Sequence, residues 1–315
     1  MRLLILGGTK FLGRAIADAA LARGHDLTLF NRGRTNPELF PDAEKLRGDR
    51  DGGLEALEGR TWDAVVDVAG YLPRVVRQSV ETVDAPYYLF VSSRSVYADF
   101  SSSPTEDAAT LGDVDSEEVM EHYGELKAMC ERVAAQRRGA IVRPGLIVGP
   151  HDPTGRFTYW PHRIARGGDV LAPGPPEETV TLIDVRDLGE WIVHLCEAQT
   201  EGVFNAIDRT TWGELLEACV RAAGSDARLV WIRSDWLAEQ GVGEWMELPL
   251  WISSEEMRGL HHVENARAVA AGLTFRPLVQ TALATLAEAE TTDEAGMKPE
   301  RERELLAAWA ASSPA

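Results

Sequence analysis

A glycine-rich segment directly after the first apolar run is the feature that most restricts the fold. The run RLLIL at 2–6 leads into GGTKFLG at 7–13, and FLGRAIADAALARG then has the spacing of a helix that ends at Gly24. In doubly wound α/β folds, such a turn holds a pyrophosphate with its backbone N–H groups and the positive end of the helix dipole. Lys10 replaces the middle glycine of the usual pattern. The segment therefore predicts a dinucleotide-binding turn with an added positive charge, whose contact residues are Gly7, Thr9, Lys10, Phe11, Leu12 and Gly13.

Further short apolar runs alternate with helical patterns through the first half of the chain. They are DLTLF at 26–30, DAVVDVA at 63–69, YYLFVSS at 87–93 and AIVRP at 140–144. Nearly continuous apolar strands are typical of parallel sheets that are buried on both faces, and intervening helices imply right-handed crossovers. We therefore expect an α/β fold with a doubly wound parallel sheet of the Rossmann type.

The composition of the sequence changes after Pro150, where segments typical of loops, such as GPHDPTGRF and APGPPEETV, appear. The segment TLIDVRDLGEWIVHL returns to a strand followed by a helix, and helical patterns dominate after Thr210. We expect a dinucleotide-binding domain at 1–150 plus about 184–208, and a smaller mixed substrate-binding region at 151–183 plus about 209–315.

Charge and composition restrict the partners and the compartment. A net charge of −18 disfavours phosphate backbones, so we expect a small-molecule substrate and no nucleic acid. The sequence shows neither a signal-peptide pattern nor an apolar run long enough for a membrane span. The spacing of the three cysteines fits neither a metal site nor a disulfide framework, so we expect no metal and a cytoplasmic protein.

The residues after the second strand indicate which dinucleotide is bound. An NAD site usually places a carboxylate there to bind the ribose 2′-hydroxyl, but this chain has Asn31, Arg32, Gly33 and Arg34. Arginine suits a 2′-phosphate because its planar head offers several donors. We therefore predict NADP(H) as the preferred cofactor, with NAD(H) as the alternative, and contacts from Lys10, Asn31, Arg32 and Arg34.

Two further loops are expected at the same edge of the sheet. The segment RGDRD follows a possible third strand and predicts that Asp49 and Arg50 lie near the adenine. Val68, Ala69 and Gly70 end the fourth strand, where small residues would let a ribose lie close.

A serine-bearing strand and a Tyr-x-x-x-Lys helix form the candidate catalytic set. Ser92 and Ser93 end the fifth strand, at the edge where such sheets bind ligands, and Tyr123 and Lys127 share a helix face. A tyrosine with the ordinary pKa of about 10 is a poor acid-base group at neutral pH, and a nearby ammonium lowers that pKa. These residue types suit proton transfer beside a hydride donor.

Taken together, GGTKFLG, VSSRSVY, YGELK, RPGLIVGP and IDVRDL resemble the extended, epimerase-like branch of the short-chain dehydrogenase/reductase superfamily over about residues 1–290. The resemblance implies that Ser93 orients the substrate, Tyr123 is the acid/base and Lys127 is its partner that also binds ribose. It also implies that RPGLIVGP, including Pro144, lines the nicotinamide end. Relatives often dimerise through the two helices expected here at 73–84 and 116–136, so a homodimer is a possible assembly.

Departures from the family pattern separate the possible activities. Arg94 and Ser95 replace the Asp-Glu pair of dehydratases, which disfavours elimination chemistry. Arginines that bind a sugar-nucleotide diphosphate in epimerases have no clear match, so we rank an NADP(H)-dependent oxidoreductase acting on a carbonyl/alcohol pair first and a sugar-nucleotide epimerase second. The loop variant also resembles an atypical subgroup that includes chloroplast stem-loop RNA-binding proteins. A cofactor-binding RNA-binding or regulatory protein without turnover is the third hypothesis.

Four tryptophans fall close together in the second region: Trp231, Trp236, Trp245 and Trp251. They either line an apolar substrate pocket or fill the core of the small domain, and the core is the commoner outcome. The segment ELPLWI at 247–252 is a candidate lid.

Overall fold

The apolar runs of the first half form one parallel sheet in the computed structural model, which describes residues 1–289 and 291–312. Elements are numbered along the chain. The sheet contains β1 (Arg2–Leu6), β2 (Asp26–Asn31), β3 (Glu44–Arg47), β4 (Ala64–Asp67), β5 (Tyr88–Val91), β6 (Ala140–Pro144) and β10 (Gly202–Ala206). Their order is β10-β6-β5-β4-β1-β2-β3, and every neighbouring pair is parallel. The predicted doubly wound, Rossmann-like sheet is therefore confirmed.

Helices connect and cover these strands. They are α1 (Phe11–Ala22), α2 (Pro73–Thr82), α3 (Tyr123–Ala134), α5 (Val185–Ala198) and the short α8 (Ala266–Ala270). Helices α1 and α5 approach closely because Gly189 has no side chain, and a Cβ there would lie 2.9 Å from the backbone of Ala15. Strand order reverses on either side of β1 and β4, so the loops after these two strands border the crevice where ligands bind in open α/β sheets.

The chain divides into two compact units. The first contains Met1–Leu146, Val185–Ile207 and Val263–Phe275, and the second contains Ile147–Asp184, Asp208–His262 and the described residues from Arg276 onward. The segment Val263–Phe275 thus packs with the sheet, whereas the sequence placed it in the substrate-binding region. No helix in the described part of the chain is long and apolar enough to cross a membrane.

The second unit combines small sheets with helices. Its strands are β7 (Ile147–Val148), β8 (Asp169–Gly174), β9 (Thr179–Asp184), β11 (Asp208–Thr211), β12 (Arg228–Arg233), β13 (Glu244–Trp245) and β14 (Leu248–Pro249). Its helices are α4 (Tyr159–Ala165), α6 (Trp212–Ala223), α7 (Ser234–Glu239), α9 (Leu278–Glu288) and α10 (Pro299–Ser312).

The four tryptophans that lie close together in the sequence have separate environments in the second unit. Trp251 is 1% exposed, and its Nε1 donates to Ser234 Oγ at 3.0 Å. Trp236 packs edge-on against Trp309 at 5.2 Å between ring centroids. The ring of Trp245 lies 5.2 Å from the Arg156 guanidinium, and Trp231 packs on Gly174. Trp251 is therefore a core residue, and the candidate lid ELPLWI ends in the core.

Candidate functional site

The glycine loop has the tight geometry that its sequence predicts. Gly7 and Gly8 have φ values of +124° and +98°, which residues with side chains rarely adopt. A Cβ on Gly13 would lie 2.7 Å from the Gly8 nitrogen, so only glycine lets α1 begin this close to the loop. No side chain caps α1 at Lys10, and the first N–H groups of a helix have no partner within it. The loop therefore presents backbone donors of the kind that bind phosphate groups.

Two asparagine side chains fix the loop after β2 against this glycine loop. Asn31 Nδ2 donates to the Gly7 carbonyl at 2.9 Å, and Asn36 Nδ2 donates to the Thr9 carbonyl at 2.8 Å. Asn31 Oδ1 in turn accepts a bond from the Gly33 N–H at 2.9 Å. Asn31, predicted as a cofactor contact, thus has a clear positioning role between the two loops.

The predicted cations surround this pair of loops. Lys10, Arg32 and Arg34 are all exposed, and Arg32 Nη1 lies 3.8 Å from Asp49 Oδ2. The structure adds Arg47, the last residue of β3, whose Nη1 donates to Asn31 Oδ1. The sequence analysis passed over Arg47, although parallel pairing of β2 with β3 would have placed it beside Asn31.

Arg50 has a different environment from the one predicted at the adenine. Its two terminal nitrogens each lie 2.6 Å from an oxygen of Asp67, a carboxylate with no exposed surface, and one of them also donates to Ser79 Oγ at 3.0 Å. Tyr88 Oη donates to the same carboxylate at 2.8 Å. A buried charge pair is costly to separate, so Arg50 supports the sheet beneath the site. Of the predicted adenine contacts, Asp49 alone remains at the surface.

Of the residues after β4, Val68 packs against the glycine loop and Gly70 packs against β5. A Cβ on Gly7 would lie 2.7 Å from the Val68 side chain, and one on Gly70 would lie 2.5 Å from the Phe90 ring. The Ala69 N–H donates to Asp67 Oδ1 at 3.1 Å, which orients the turn. The remaining predicted contacts are buried or half-buried: Thr9, Phe11, Leu12 and, at the end of β6, Pro144.

A serine turn follows β5 at the same edge of the sheet. Ser93 Oγ accepts a bond from the Ser95 N–H at 3.1 Å and donates to Ser95 Oγ at 3.1 Å. Ser92 Oγ is buried, and it has no hydrogen-bond partner within the described residues. The turn therefore holds the Ser93 hydroxyl in a defined position and leaves the Ser92 hydroxyl able to bond a ligand.

Gly124 brings the start of α3 against this turn. A Cβ on Gly124 would lie 2.4 Å from the Ser95 carbonyl oxygen, so the helix packs directly on the backbone of the serine turn. Tyr123 is the first residue of α3 and is half-buried. Gly124, the second residue of YGELK, therefore determines how closely Tyr123 and the serine turn approach each other.

Lys127 lies beneath the site with its ammonium enclosed. The side chain is 3% exposed, and Nζ donates to the carbonyls of Gly70 at 2.8 Å and Val91 at 2.7 Å. Nζ also lies 4.3 Å from the centroid of the Phe90 ring. Burial lowers the pKa of Lys127 from 10.5 to about 8. Lys127 thus joins the ends of β4 and β5, and it is placed one helical turn after Tyr123.

Tyr71 is a second residue that the sequence analysis missed. Its ring centroid lies 6.4 Å from that of Tyr123 and 5.5 Å from Lys127 Nζ, yet 47% of the residue is exposed. It follows Val68-Ala69-Gly70 directly, so its position after a ligand-facing strand end was the available signal. An exposed aromatic ring beside Tyr123 provides an apolar surface next to the candidate acid/base.

Comparisons with known proteins agree with this fold. The family model described as NAD dependent epimerase/dehydratase family matches residues 60–206. The Arabidopsis thaliana chloroplast stem-loop binding protein of 41 kDa b is 26% identical over 248 residues, which is 71% of this chain. This chain spans 63% of that relative's length. The Bos taurus epimerase family protein SDR39U1 is 24% identical over 72% of this chain and 82% of its own length.

Two solved structures illustrate the shared architecture. Human epimerase family protein SDR39U1 with NADPH has a TM-score of 0.63 at 21% identity, covering 90% of this chain and 99% of its own. The Bordetella bronchiseptica enzyme WbmG in complex with NAD has a TM-score of 0.66 at 15% identity, covering 94% and 97%. The NAD dependent epimerase/dehydratase family model thus matches the middle part of the chain, and the chain as a whole shares the fold of these solved structures.

Proposed function

We propose that this chain is an NADP(H)-dependent oxidoreductase that interconverts a carbonyl and an alcohol. Ser93 orients the substrate oxygen, Tyr123 exchanges a proton with it, and Lys127 supplies positive charge beneath them. The observation that carries the proposal is the packing of Gly124 on the Ser95 carbonyl, which holds the first turn of α3 against the serine turn. Proton transfer needs a donor and an acceptor within hydrogen-bond reach. This contact fixes the helix start that carries Tyr123 against the turn that carries Ser93.

The residues around the glycine loop fit a dinucleotide. Three features suit a ligand with ribose and phosphate groups. The buried Ser92 hydroxyl has no hydrogen-bond partner among the described residues, the start of α1 has no side-chain cap, and the chain turns tightly at Gly7 and Gly8. NADPH, when bound, supplies the hydride. Support for a nicotinamide cofactor also comes from the human and Bordetella structures, which were solved with NADPH and with NAD.

The exposed cations favour NADP(H) over NAD(H). Arg32 occupies the position where an NAD site has a carboxylate, and Lys10 adds charge to the loop that approaches the phosphates. Guanidinium groups bind phosphate through paired, charge-assisted hydrogen bonds. We expect the Arg32→Asp substitution to shift the preference toward NADH.

The test is turnover of NADPH with a panel of apolar and aromatic ketones and aldehydes. Tyr123→Phe removes one hydroxyl, so kcat should fall by about two to four orders of magnitude, which is the usual contribution of a general acid. The Kd for NADPH, measured by energy transfer from tryptophan, should change less than about threefold because the ring remains. Tyr87→Phe is the matched control, since its hydroxyl donates to the Thr200 carbonyl at 2.6 Å, and it should keep full turnover. Equal turnover in Tyr123→Phe and wild type would refute the assignment.

A sugar-nucleotide epimerase is the second candidate because the matched family and several structural neighbours carry that name. Ser93, Tyr123 and Lys127 would have the same roles, but the hydride would return to the substrate and no cofactor would be consumed. Incubation with UDP-sugars and a catalytic amount of NAD⁺ distinguishes the two. Epimer formation without net change in absorbance at 340 nm would favour the epimerase.

A cofactor-binding protein that binds RNA without turnover is the third candidate, since one relative is named a stem-loop binding protein. The net charge of −18 weakens binding to a polyanion. Binding of stem-loop RNA at physiological salt, together with no activity in either enzyme assay, would favour this candidate.

A further inference from the structure

Three basic side chains near the glycine loop lack a carboxylate partner among the described residues, although the protein is acidic. The chain has 50 acidic and 32 basic residues, so most cations have carboxylates to pair with. Within residues 1–289 and 291–312, however, no carboxylate oxygen lies within 4.0 Å of the side-chain nitrogens of Lys10, Arg34 or Arg47. All three belong to the segments around the glycine loop and the loop after β2. Uncompensated cations beside a phosphate-binding loop favour an anionic ligand, which would supply the negative charge.

Arg47 differs from the other cations because its guanidinium is held in place. Nη1 donates to Asn31 Oδ1, the same oxygen that accepts the Gly33 N–H. A Cβ on Gly33 would lie 2.8 Å from Arg47 Nε and 3.1 Å from its Cζ, so the guanidinium lies directly on the glycine. Gly33 has a φ of +69°, and its missing side chain leaves the room that the guanidinium occupies. The side chain is thus ordered by neutral groups, which leave its charge uncompensated.

Arg32 does not have this arrangement. More than half of its side chain is exposed, and its nearest charged partner is Asp49 at 3.8 Å. An anionic ligand at Arg32 has to compete with that carboxylate, whereas Arg47 has no such competitor among the described residues. A side chain that is ordered before binding also loses less conformational freedom when it binds.

We propose that Arg47 is a specificity-determining residue of the cofactor site, which binds a phosphomonoester on the ribose through the open edge of its guanidinium. This inference rests on the proposed function, because it names the group of NADP(H) that the site distinguishes. Asn31 is the positioning residue: its amide nitrogen fixes the glycine loop through the Gly7 carbonyl, and its oxygen fixes Arg47. The pyrophosphate loop and the phosphomonoester site therefore share one asparagine.

The experiment compares two probes that differ in the position of one phosphate. Adenosine 2′,5′-bisphosphate carries its second phosphate as a phosphomonoester at the ribose 2′ position, whereas 5′-ADP carries it in a 5′-diphosphate and has none at the 2′ position. Isothermal titration of the full chain should show that Arg47→Gln weakens binding of the 2′,5′-bisphosphate by about tenfold or more, the usual effect of losing a charge-assisted hydrogen bond. Binding of 5′-ADP should change by less than about twofold. Arg47→Lys should give an intermediate loss, because it retains the charge without the planar fork.

Arg60→Gln is the matched control. Arg60 is an exposed arginine that pairs with Glu44 of β3 at 2.7 Å, so the substitution removes the same charge close to the same strand. It should leave the ratio of the two affinities unchanged. An equal loss for both probes in Arg47→Gln, or the same loss in Arg60→Gln, would overturn the proposal. A melting temperature within about 2 °C of wild type confirms that Arg47→Gln is folded. If Arg47→Gln does not fold, the affinities of Arg47→Lys for the two probes test the proposal instead.

The experiments distinguish a wrong role for Arg47 from a wrong assignment of the oxidoreductase activity. Preferential NADPH binding that depends on Arg32 but not on Arg47 would overturn the role of Arg47 and leave the oxidoreductase intact. Arg47-dependent binding of the 2′,5′-bisphosphate, with no turnover of any carbonyl, would support the role of Arg47 and contradict the oxidoreductase.

Discussion

The buried ammonium of Lys127 should make the stability of this protein depend on pH in an unusual direction. Burial lowers the pKa of Lys127 from 10.5 to about 8. Between these two values the unfolded chain binds a proton that the folded chain does not. Stability that depends on Lys127 therefore rises as pH increases through this window, and the cost of the buried charge is fully present below about pH 8.

The size of the effect follows from the two pKa values. Each pKa unit corresponds to about 1.4 kcal/mol, so the full cost is about 3 kcal/mol. Between pH 7 and pH 9.5, wild type should gain about 2 kcal/mol in its free energy of unfolding from this group alone. The Lys127→Met variant also loses the donors to the Gly70 and Val91 carbonyls, but that loss does not depend on pH. The difference between wild type and variant should therefore change with pH by the same amount.

Urea unfolding of wild type, Lys127→Met and Lys298→Met at several pH values would measure this difference. Lys298 is the control because two thirds of its side chain is exposed, so its replacement should leave the pH slope of wild type unchanged. The chain has four lysines, at 10, 45, 127 and 298, so NMR of lysine Cε resonances can follow each titration directly. A Lys127 resonance that titrates near 10.5, or parallel pH slopes in wild type and Lys127→Met, would refute the reasoning.

Three further substitutions test the packing around the site. Gly124→Ala should reduce turnover at least about tenfold while NADPH still binds, because the new Cβ would overlap the Ser95 carbonyl and displace the start of α3, at a cost of about 1–3 kcal/mol. Tyr71→Ala should raise the pKa of Lys127 toward its ordinary value by admitting water, whereas Tyr71→Phe should not, and the same NMR titration measures both. Trp251→Ala should lower the free energy of unfolding by about 3–5 kcal/mol in urea melts, because the ring is buried; a normal midpoint with altered substrate affinity would instead place Trp251 at the substrate.

The sheet could be predicted because each strand carries its own signal. RLLIL and AIVRP coincide with β1 and β6, since both are apolar runs that end at a turn residue. The edge strand β10, with the sequence GVFNA, was not predicted as a strand. Its glycine and asparagine are both uncommon in strands, so its five residues do not form an apolar run. Its pairing with β6 is a tertiary contact.

Local motifs also predicted a candidate catalytic set, but they did not predict the contacts that support its members. Ser93, Tyr123 and Lys127 follow from strand ends and helical spacing, which are properties of nearby sequence. The support from Gly124 and the enclosure by Tyr71 depend on contacts between segments far apart in the chain. Sequence periodicity contains no information on such distances.

Arg47 and Arg50 show why a cluster of basic residues cannot be assigned from sequence alone. Both belong to the segment LRGDRD, and both could face a phosphate. The outcome depends on Asp67, which ends a strand that is not adjacent to β3 and lies beneath the site. A buried carboxylate requires a cation, and Arg50 pairs with it through two bonds, so Arg50 is committed to the interior. Arg47 pairs across the sheet with Asn31, a neutral residue, and therefore keeps its charge for a ligand. Replacing Asp67 with asparagine should consequently destabilise the fold through Arg50 while leaving the affinity ratio set by Arg47 unchanged in the folded fraction.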